Sequence, residues 1–213
     1  MHADHEELAR AELYGLLANL YQAPPPPALL KRIALQRALA EGGTGPTAES
    51  PKSAPSQLET RWTALVERAG TLPAAAIADE HEALFGGVGK PEIFLHASWF
   101  LAGFLNEKPL ATLRGHLDRI GIERVPGTLE TEDHFASLCE VMRYLITGDD
   151  PVNCTLATER GFFDAQLRPW TDRMCDAIEA HPRADFYRAL AGLTRDFLAI
   201  EAQAFDLVDV GRH

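Results

Sequence analysis

The sequence predicts an all-α protein, a single helical bundle of about nine to ten helices. Apolar residues recur at intervals of three and four along most of the chain, which is the spacing of one face of a helix. No stretch alternates apolar and polar residues with a period of two, and β-branched residues are sparse. Strands therefore have little support, and helices account for the whole pattern.

Glycine and proline punctuate the periodic segments and so mark where the helices begin and end. A run of prolines at 24–27 ends the first segment, and Gly42 and Gly121 each follow a periodic segment at the position of a helix cap. The predicted helices are 3–22, 28–41, 58–69, 74–85, 93–105, 110–120, one that begins near 131, 159–180 and 184–205.

Composition also suggests how the chain is divided. Residues 42–56 are rich in Gly, Pro, Ser and Thr and are expected to form a flexible loop. The segment 121–130 contains two glycines and a proline, which predicts a hinge. We therefore expect an N-terminal helical subdomain at 1–120 and a C-terminal one at 131–213.

Charge and cysteine content limit the classes of function. The 213 residues carry 20 basic and 31 acidic side chains, a net charge of −11, which disfavours nucleic acid and anionic membranes and favours a basic peptide. The three cysteines form no C-x-x-C pair, so neither a disulfide framework nor a zinc ribbon is indicated. With no export signal and no apolar stretch of membrane-spanning length, we expect a soluble protein of the cytoplasm.

Motifs for metal, cofactor or nucleophilic chemistry are absent from the sequence. The run at 86–90, GGVGK, lacks the first glycine and the final Ser or Thr of a phosphate loop. No histidine is preceded three positions earlier by glutamate, and no His-Glu-x-x-His occurs. We therefore expect no metal and no cofactor.

One stretch, 130–146, combines an amphipathic helix with an acidic start. Thr131 is the predicted N-cap, with Glu132 and Asp133 in the first turn, where negative charge is favoured. The apolar stripe consists of Phe135, Leu138, Cys139, Met142, Leu145 and Ile146, whereas Asp133, Ser137, Glu140 and Tyr144 lie opposite. Asp133 and His134 leave two interpretations open: an acid-base or weakly nucleotide-hydrolysing enzyme, or a surface that binds an arginine-bearing apolar peptide.

Four segments resemble, in order and spacing, the TorD/DmsD/NarJ family of chaperones that mature molybdenum redox enzymes. They are DEHEALFGG (79–87), FLHASWF (94–100), ETEDHFASLCEVM (130–142), and FFDAQLRPWTDRM with FYRALAGLTRDFL (162–198). The E-P-x-D-H element of that family is matched by residues 130–134, with Thr131 in place of proline. Its aromatic-x-Ser-x-Tyr element corresponds to residues 96–100, with His96 at the aromatic position and Phe100 in place of the tyrosine. Glu140 fits the family's helix glutamate, whereas Leu138 occupies a position that is often acidic.

The resemblance implies a cytoplasmic chaperone, not an enzyme, that binds the twin-arginine signal peptide or the apo-form of a molybdenum-cofactor oxidoreductase and delays its export. It further implies a monomer or a domain-swapped dimer, and it does not specify the client. The predicted peptide-binding residues are Glu130, Glu132, Asp133, His134, Glu140, Phe85, His96, Ser98, Trp99 and Phe100. Within this set we expect the carboxylates to meet the peptide's arginines, the aromatic rings to receive its apolar segment, and His134 to brace the hinge.

Overall fold

A computed structural model describes residues 5–42, 55–86, 90–124 and 130–210 and confirms the all-α prediction. Ten helices occur in these ranges, and the described residues include no strand. The helices are α1 His5–Gln22, α2 Pro27–Gly42, α3 Gln57–Thr71, α4 Ala74–Phe85, α5 Ala97–Ala102, α6 Lys108–Arg119, α7 Phe135–Thr147, α8 Leu156–Gln166, α9 Thr171–Ala180 and α10 Phe186–Val210. Most of the predicted loop at 42–56 and half of the predicted hinge at 121–130 fall outside the described residues.

Contacts group the chain into two compact units, each built from separate stretches. The first unit comprises Met1–Ala23, Phe94–Met174 and Glu201–His213. The second comprises Pro24–Ile93 and Cys175–Ile200. The first unit thus contains residues from both sides of the 121–130 segment, and the subdomains with a hinge at that segment stay a prediction.

The core of the first unit is formed where α1 packs against α7. All six residues of the predicted apolar stripe of α7 are buried, which confirms that face of the helix. The ring of Phe135 meets that of Tyr21 edge to face at 5.0 Å. Burying such side chains contributes about 2 kcal/mol each, so this stripe is what fixes α7 in place.

The start of α7 differs from the prediction. The helix begins at Phe135, and its N-cap is His134, whose Nδ1 accepts a hydrogen bond from the Ala136 N–H at 3.2 Å. Thr131 therefore does not cap the helix, and Glu132 and Asp133 precede its first turn. Residue 131 instead closes a turn, because its carbonyl accepts the His134 N–H at 3.1 Å.

The predicted helix at 93–105 is shortened because its first residues pair with the segment before α7. The Leu95 carbonyl accepts the Phe135 N–H at 2.7 Å, and the Ala97 N–H donates to the Asp133 carbonyl at 3.0 Å. These bonds form an isolated antiparallel bridge between His96 and His134, which holds residues 95–96 extended. Only Ala97–Ala102 is left to form α5, and Gly103 ends it in the left-handed conformation at φ 83°.

The predicted helix at 159–180 is divided into α8 and α9. Pro169 lies between them, and proline lacks the amide hydrogen and crowds the carbonyl four residues earlier. The chain turns there, with the N–H groups of Leu167 and Arg168 both donating to the Phe163 carbonyl at 3.0 Å. Proline at this position explains the break.

In the second unit, a carboxylate from α4 caps the start of α10. The side chain of Glu80 accepts hydrogen bonds from the backbone N–H groups of Asp185, Phe186 and Tyr187 at 2.8, 3.1 and 2.9 Å. These amides have no partner within the helix, and negative charge is favoured at that end. Glu80 thereby fixes α4 to α10.

Candidate functional site

An acidic cleft of about 320 Å³ lies in the first unit. Its lining comes from α1, α6, α7 and the segments on either side of residues 125–129. The lining residues are Ala18, Asn19, Gln22, Leu117, Ile122, Glu123, Arg124, Glu130, Glu132, Ala136, Ser137, Glu140 and Val141. Four glutamates and one arginine give the cleft a net negative charge, and its apolar part consists of small and aliphatic side chains. Three of the predicted binding carboxylates, Glu130, Glu132 and Glu140, therefore meet at one cleft.

Glu132 is paired with an arginine of α6. The guanidinium of Arg114 contacts both carboxylate oxygens, with Nε to Oε1 at 3.2 Å and Nη2 to Oε2 at 3.0 Å. Burial alone would raise the pKa of Glu132, but the hydrogen bonds from Arg114 and the charges of Arg114 and Arg124 outweigh it and lower that pKa. Glu132 is thus an ionised carboxylate at neutral pH, held in a geometry suited to guanidinium.

Glu130 lies between the acidic cleft and the segment before α5. Its Oε2 is 3.1 Å from Nε2 of His96, and its backbone carbonyl accepts a hydrogen bond from Nη2 of Arg124 at 2.9 Å. The ring of His96 lies edge to face with that of His134 at 5.0 Å. His96 therefore connects the start of α5 to the acidic segment.

Glu140 is the most accessible of the three predicted carboxylates. Its side chain is 49% exposed, and its Oε2 lies 3.1 Å from Nη1 of Arg143, itself 51% exposed. Pairs of this kind on a helix surface contribute little, about 0.3–0.5 kcal/mol. Glu140 can exchange such a partner for a ligand cation at small cost.

Asp133, in contrast, is buried, with only 1% of the residue exposed, and it is not among the residues that line the cleft. Its Oδ2 accepts the backbone N–H of Ser98 at 2.9 Å, and its Oδ1 accepts the hydroxyl of Thr131 at 2.6 Å. Burial acts to raise the pKa of Asp133, but the hydrogen bonds from Ser98 and Thr131 outweigh it and lower that pKa. The carboxylate caps α5 from another segment, since His96 offers that helix no side-chain cap.

The same burial bears on the acid-base interpretation of Asp133 and His134. His134 is 5% exposed, and its Nδ1 is occupied as the N-cap of α7. Asp133 has both oxygens bound to protein groups. The geometry therefore does not favour an enzyme built on this pair.

Two aromatic residues of α5 lie half-buried in the first unit. The ring of Trp99 lies 4.2 Å from that of Phe94, and the ring of Phe100 stacks on that of Trp170 at 5.4 Å with 24° between the planes. Ser98, between His96 and these rings, is fully buried. The predicted aromatic contacts are accordingly held in place by other rings.

Phe85 belongs to the second unit and is not among the residues of the acidic cleft. It is the last residue of α4, and its ring meets those of His81 and Tyr187 edge to face at 5.3 and 5.0 Å. Its role as a peptide contact stays a prediction.

Several lining residues were not foreseen from the sequence. Ala18, Asn19 and Gln22 reach the acidic cleft because α1 packs on α7, a pairing that sequence periodicity does not specify. Arg114 and Arg124 resemble any exposed arginine in the sequence. The i to i+4 spacing rule predicts ion pairs only between residues of one helix. Arg114 and Arg124 instead contact residues 132 and 130, which precede α7.

The described residues include no group of three or more His, Cys, Asp or Glu side chains arranged to hold a metal ion. In the same part of the chain, no helix combines the length and apolarity that crossing a bilayer requires.

Comparisons with known proteins agree with the sequence motifs. Chaperone protein TorD of Aliivibrio fischeri is 27% identical to this chain over 127 residues, which cover 56% of this chain and 59% of that protein. The chain thus spans about three fifths of the length of this curated relative. The family model described as nitrate reductase delta subunit matches residues 52–176, more than half of the 213 residues. The chain belongs to this family of nitrate reductase delta subunits and TorD-type chaperones, as its motifs indicated.

Proposed function

We propose that this protein is a cytoplasmic maturation chaperone that binds the twin-arginine signal peptide of a molybdenum-cofactor oxidoreductase. In this proposal it keeps the apo-client from export until the cofactor is inserted. The family supports the chaperone role, and the acidic cleft supports a cationic peptide as its ligand. The observation that carries the proposal is the meeting of Glu130, Glu132 and Glu140 at one cleft.

The chemistry of the acidic cleft suits a peptide with adjacent arginines. A guanidinium presents donors in a planar fork that matches a carboxylate, and the Arg114 to Glu132 contact has this geometry. Next to the carboxylates, Ala18, Leu117 and Val141 offer apolar surface to the side-chain stems. The net charge of −11 would also speed the encounter with a basic segment.

The apolar segment of the peptide is assigned to α5 and the turn after it. Trp99 and Phe100 are half-buried, and beyond them Leu101 and Phe104 are 42% and 69% exposed. Exposed apolar residues that follow one another in this way are typical of an interaction site. Asp133 and His134 take positioning roles in this scheme, because their side chains are buried.

Titration calorimetry with a synthetic twin-arginine signal peptide tests the proposal. We expect micromolar or tighter binding that weakens with added salt, because screening acts within about 10 Å at 0.1 M salt. The double substitution Glu130→Gln/Glu140→Gln is expected to weaken binding about tenfold, and replacing both peptide arginines by lysine should weaken it similarly.

The matched control is Glu12→Gln/Asp118→Asn, which removes two charges from exposed residues of the same unit that do not line the acidic cleft. Its affinity should stay within about twofold of wild type, since surface charges away from a contact contribute little. Equal losses in both double variants would mean that net charge, not the cleft, attracts the peptide. If the peptide does not bind at all, the signal-peptide role is wrong.

The client and the assembly state need separate measurements. Recovery of a molybdoenzyme subunit from the source cytoplasm with the tagged protein would support the maturation role, and its absence under conditions that preserve apo-enzymes would count against that role. Light scattering after gel filtration would distinguish a monomer from a domain-swapped dimer, the two states that the family allows.

A further inference from the structure

Besides Arg143, which pairs with Glu140 on the surface of α7, two arginines of the chain contact oxygen atoms of the acidic segment before that helix. Arg114 forms a fork with the carboxylate of Glu132 at 3.2 and 3.0 Å. Arg124 lines the cleft and donates from Nη2 to the backbone carbonyl of Glu130 at 2.9 Å. Glu130 and Glu132, two positions apart in the segment before α7, are therefore each in contact with a guanidinium group, Glu130 through its backbone carbonyl and Glu132 through its carboxylate.

Both guanidinium charges act on the same carboxylate. The pKa of Glu132 is raised by burial, yet the hydrogen bonds and charge of Arg114, together with the charge of Arg124, lower it overall. These two cations thus partly neutralise the field that would attract a basic peptide. An incoming arginine must therefore compete with Arg114 for the oxygens of Glu132, and it meets the charge of Arg124 beside them.

We propose that Arg114 and Arg124 are intramolecular competitors, which occupy in the free protein the places that the two arginines of a bound peptide take over. This inference rests on the proposed function, because it concerns the regulation of the same cleft. Binding is then an exchange of guanidinium groups, in which Arg114 gives up its ion pair with Glu132 and Arg124 gives up its hydrogen bond to the Glu130 carbonyl.

The exposure of the resident arginines makes such an exchange feasible. The side chain of Arg114 is 50% exposed, and Arg124 lies on the surface. Each side chain can therefore rotate into the solvent when a ligand displaces it. Ion pairs at this level of exposure contribute little, so a ligand loses little by breaking them. A lysine cannot reproduce the fork, and exchange would therefore also select arginine over lysine.

The test compares Arg114→Gln, Arg124→Gln and the double variant with wild type by calorimetry. The two probes are a synthetic twin-arginine signal peptide and the Arg-Arg dipeptide amide. We expect each single variant to bind both probes about threefold to fivefold more tightly, and the double variant about tenfold, as an exposed competing pair would allow. Arg114→Lys should fall between wild type and Arg114→Gln, because it keeps the charge but loses the fork.

Arg119→Gln is the matched control. Arg119 also lies on α6, and its Nε donates to the Gly115 carbonyl within that helix, not to a carboxylate of the cleft. The same charge is lost without removing a competitor, so the affinity should change less than twofold. Unfolding curves of all variants should match wild type, since every substituted side chain is exposed.

The outcomes separate this inference from the proposed function. If wild type binds the signal peptide but the Arg114→Gln and Arg124→Gln variants bind it no more tightly than Arg119→Gln, the competition is disproved and the chaperone role stands. If wild type does not bind the signal peptide, yet the double variant binds the dipeptide more tightly than Arg119→Gln does, competition is supported and the signal-peptide role is wrong. Failure of every variant to bind either probe would overturn both.

Discussion

The carboxylate of Asp133 accepts the backbone N–H of Ser98 at 2.9 Å, and so the segment before α7 caps α5. Asp133 is 1% exposed and Ser98 is fully buried, so this bond lies in the protein interior. The aspartate of the family motif is thus a structural anchor in this chain, and Glu130, Glu132 and Glu140 are left to face the cleft.

Removing the anchor should destabilise the first unit. We expect Asp133→Ala to lower the free energy of unfolding by about 2 kcal/mol, because it leaves the buried Ser98 N–H and the Thr131 hydroxyl without their acceptor. Urea unfolding followed by circular dichroism measures the change. Asp149→Ala, at an exposed position of the same unit, should change stability by less than about 0.5 kcal/mol.

The same carboxylate predicts a dependence of stability on pH. The pKa of Asp133 is lowered in the folded state, so its contribution is fully present above the ordinary Asp pKa of about 3.9 and is lost as pH falls below that value. Asp133→Asn has no ionisable group at this position, so its stability lacks this pH-dependent contribution. The stability difference between wild type and Asp133→Asn should therefore shrink between about pH 5 and pH 2, and a constant difference would contradict the assignment.

A buried cluster at α1 offers a further test. Arg10 donates from Nε to Glu201 at 2.8 Å and from Nη2 to Glu159 at 3.1 Å, and both glutamates are buried. Arg10→Met should destabilise the protein by about 3 kcal/mol, because two buried carboxylates lose their cation. Arg173→Met, an exposed arginine of α9, is the control and should have almost no effect.

The defect of Arg10→Met should itself depend on pH. Burial already raises the pKa of Glu159, and Arg10 opposes that rise, so the variant should raise the pKa further. A folded-state pKa above the unfolded one means that the folded protein binds more protons, so lowering the pH from 7 to 5 should reduce the defect. A defect that grows over this range would show that the cation does not act through the carboxylates.

The cap from α4 predicts a local effect in the second unit. Glu80→Ala removes the acceptor of three backbone amides at Asp185, Phe186 and Tyr187, and should lower stability by about 1 kcal/mol. Hydrogen exchange followed by NMR should show faster exchange of these amides. In Glu67→Ala, which alters an exposed glutamate of α3, their exchange should be unchanged.

Local sequence signals predicted most helices closely. Pro73 and Gly86 flank a segment predicted at 74–85, and α4 is Ala74–Phe85. The apolar stripe of α7 was readable for the same reason, because it depends only on the helical period and on burial.

The errors arose where distant segments determine local structure. Helix propensity alone extended α7 back to Thr131 and α5 to residues 93–105. In the structure the backbone groups of Leu95 and Ala97 bond to those of Phe135 and Asp133. Such a pairing between segments about forty residues apart does not alter the periodic pattern of apolar residues, so the sequence does not show it.

The candidate site was predictable in part. Carboxylates were expected from the motif, and three of them line the acidic cleft, but their accessibility was not readable. Asp133 and Glu132 are adjacent in sequence, yet their environments differ. The buried Asp133 caps α5, whereas Glu132 pairs with Arg114 at the surface. Only the packing of the turn distinguishes the two.

The bridge between His96 and His134 has one further consequence for ligand binding. It joins the acidic segment directly to the aromatic helix α5, so under the proposed function the two ends of a peptide would bind sites of fixed separation. Once the arginines are bound, the apolar segment meets α5 at a high effective concentration. The overall affinity of the peptide then exceeds that of either part alone. A peptide with altered spacing between its arginines and its apolar segment would lose that gain, although each part alone would bind as before.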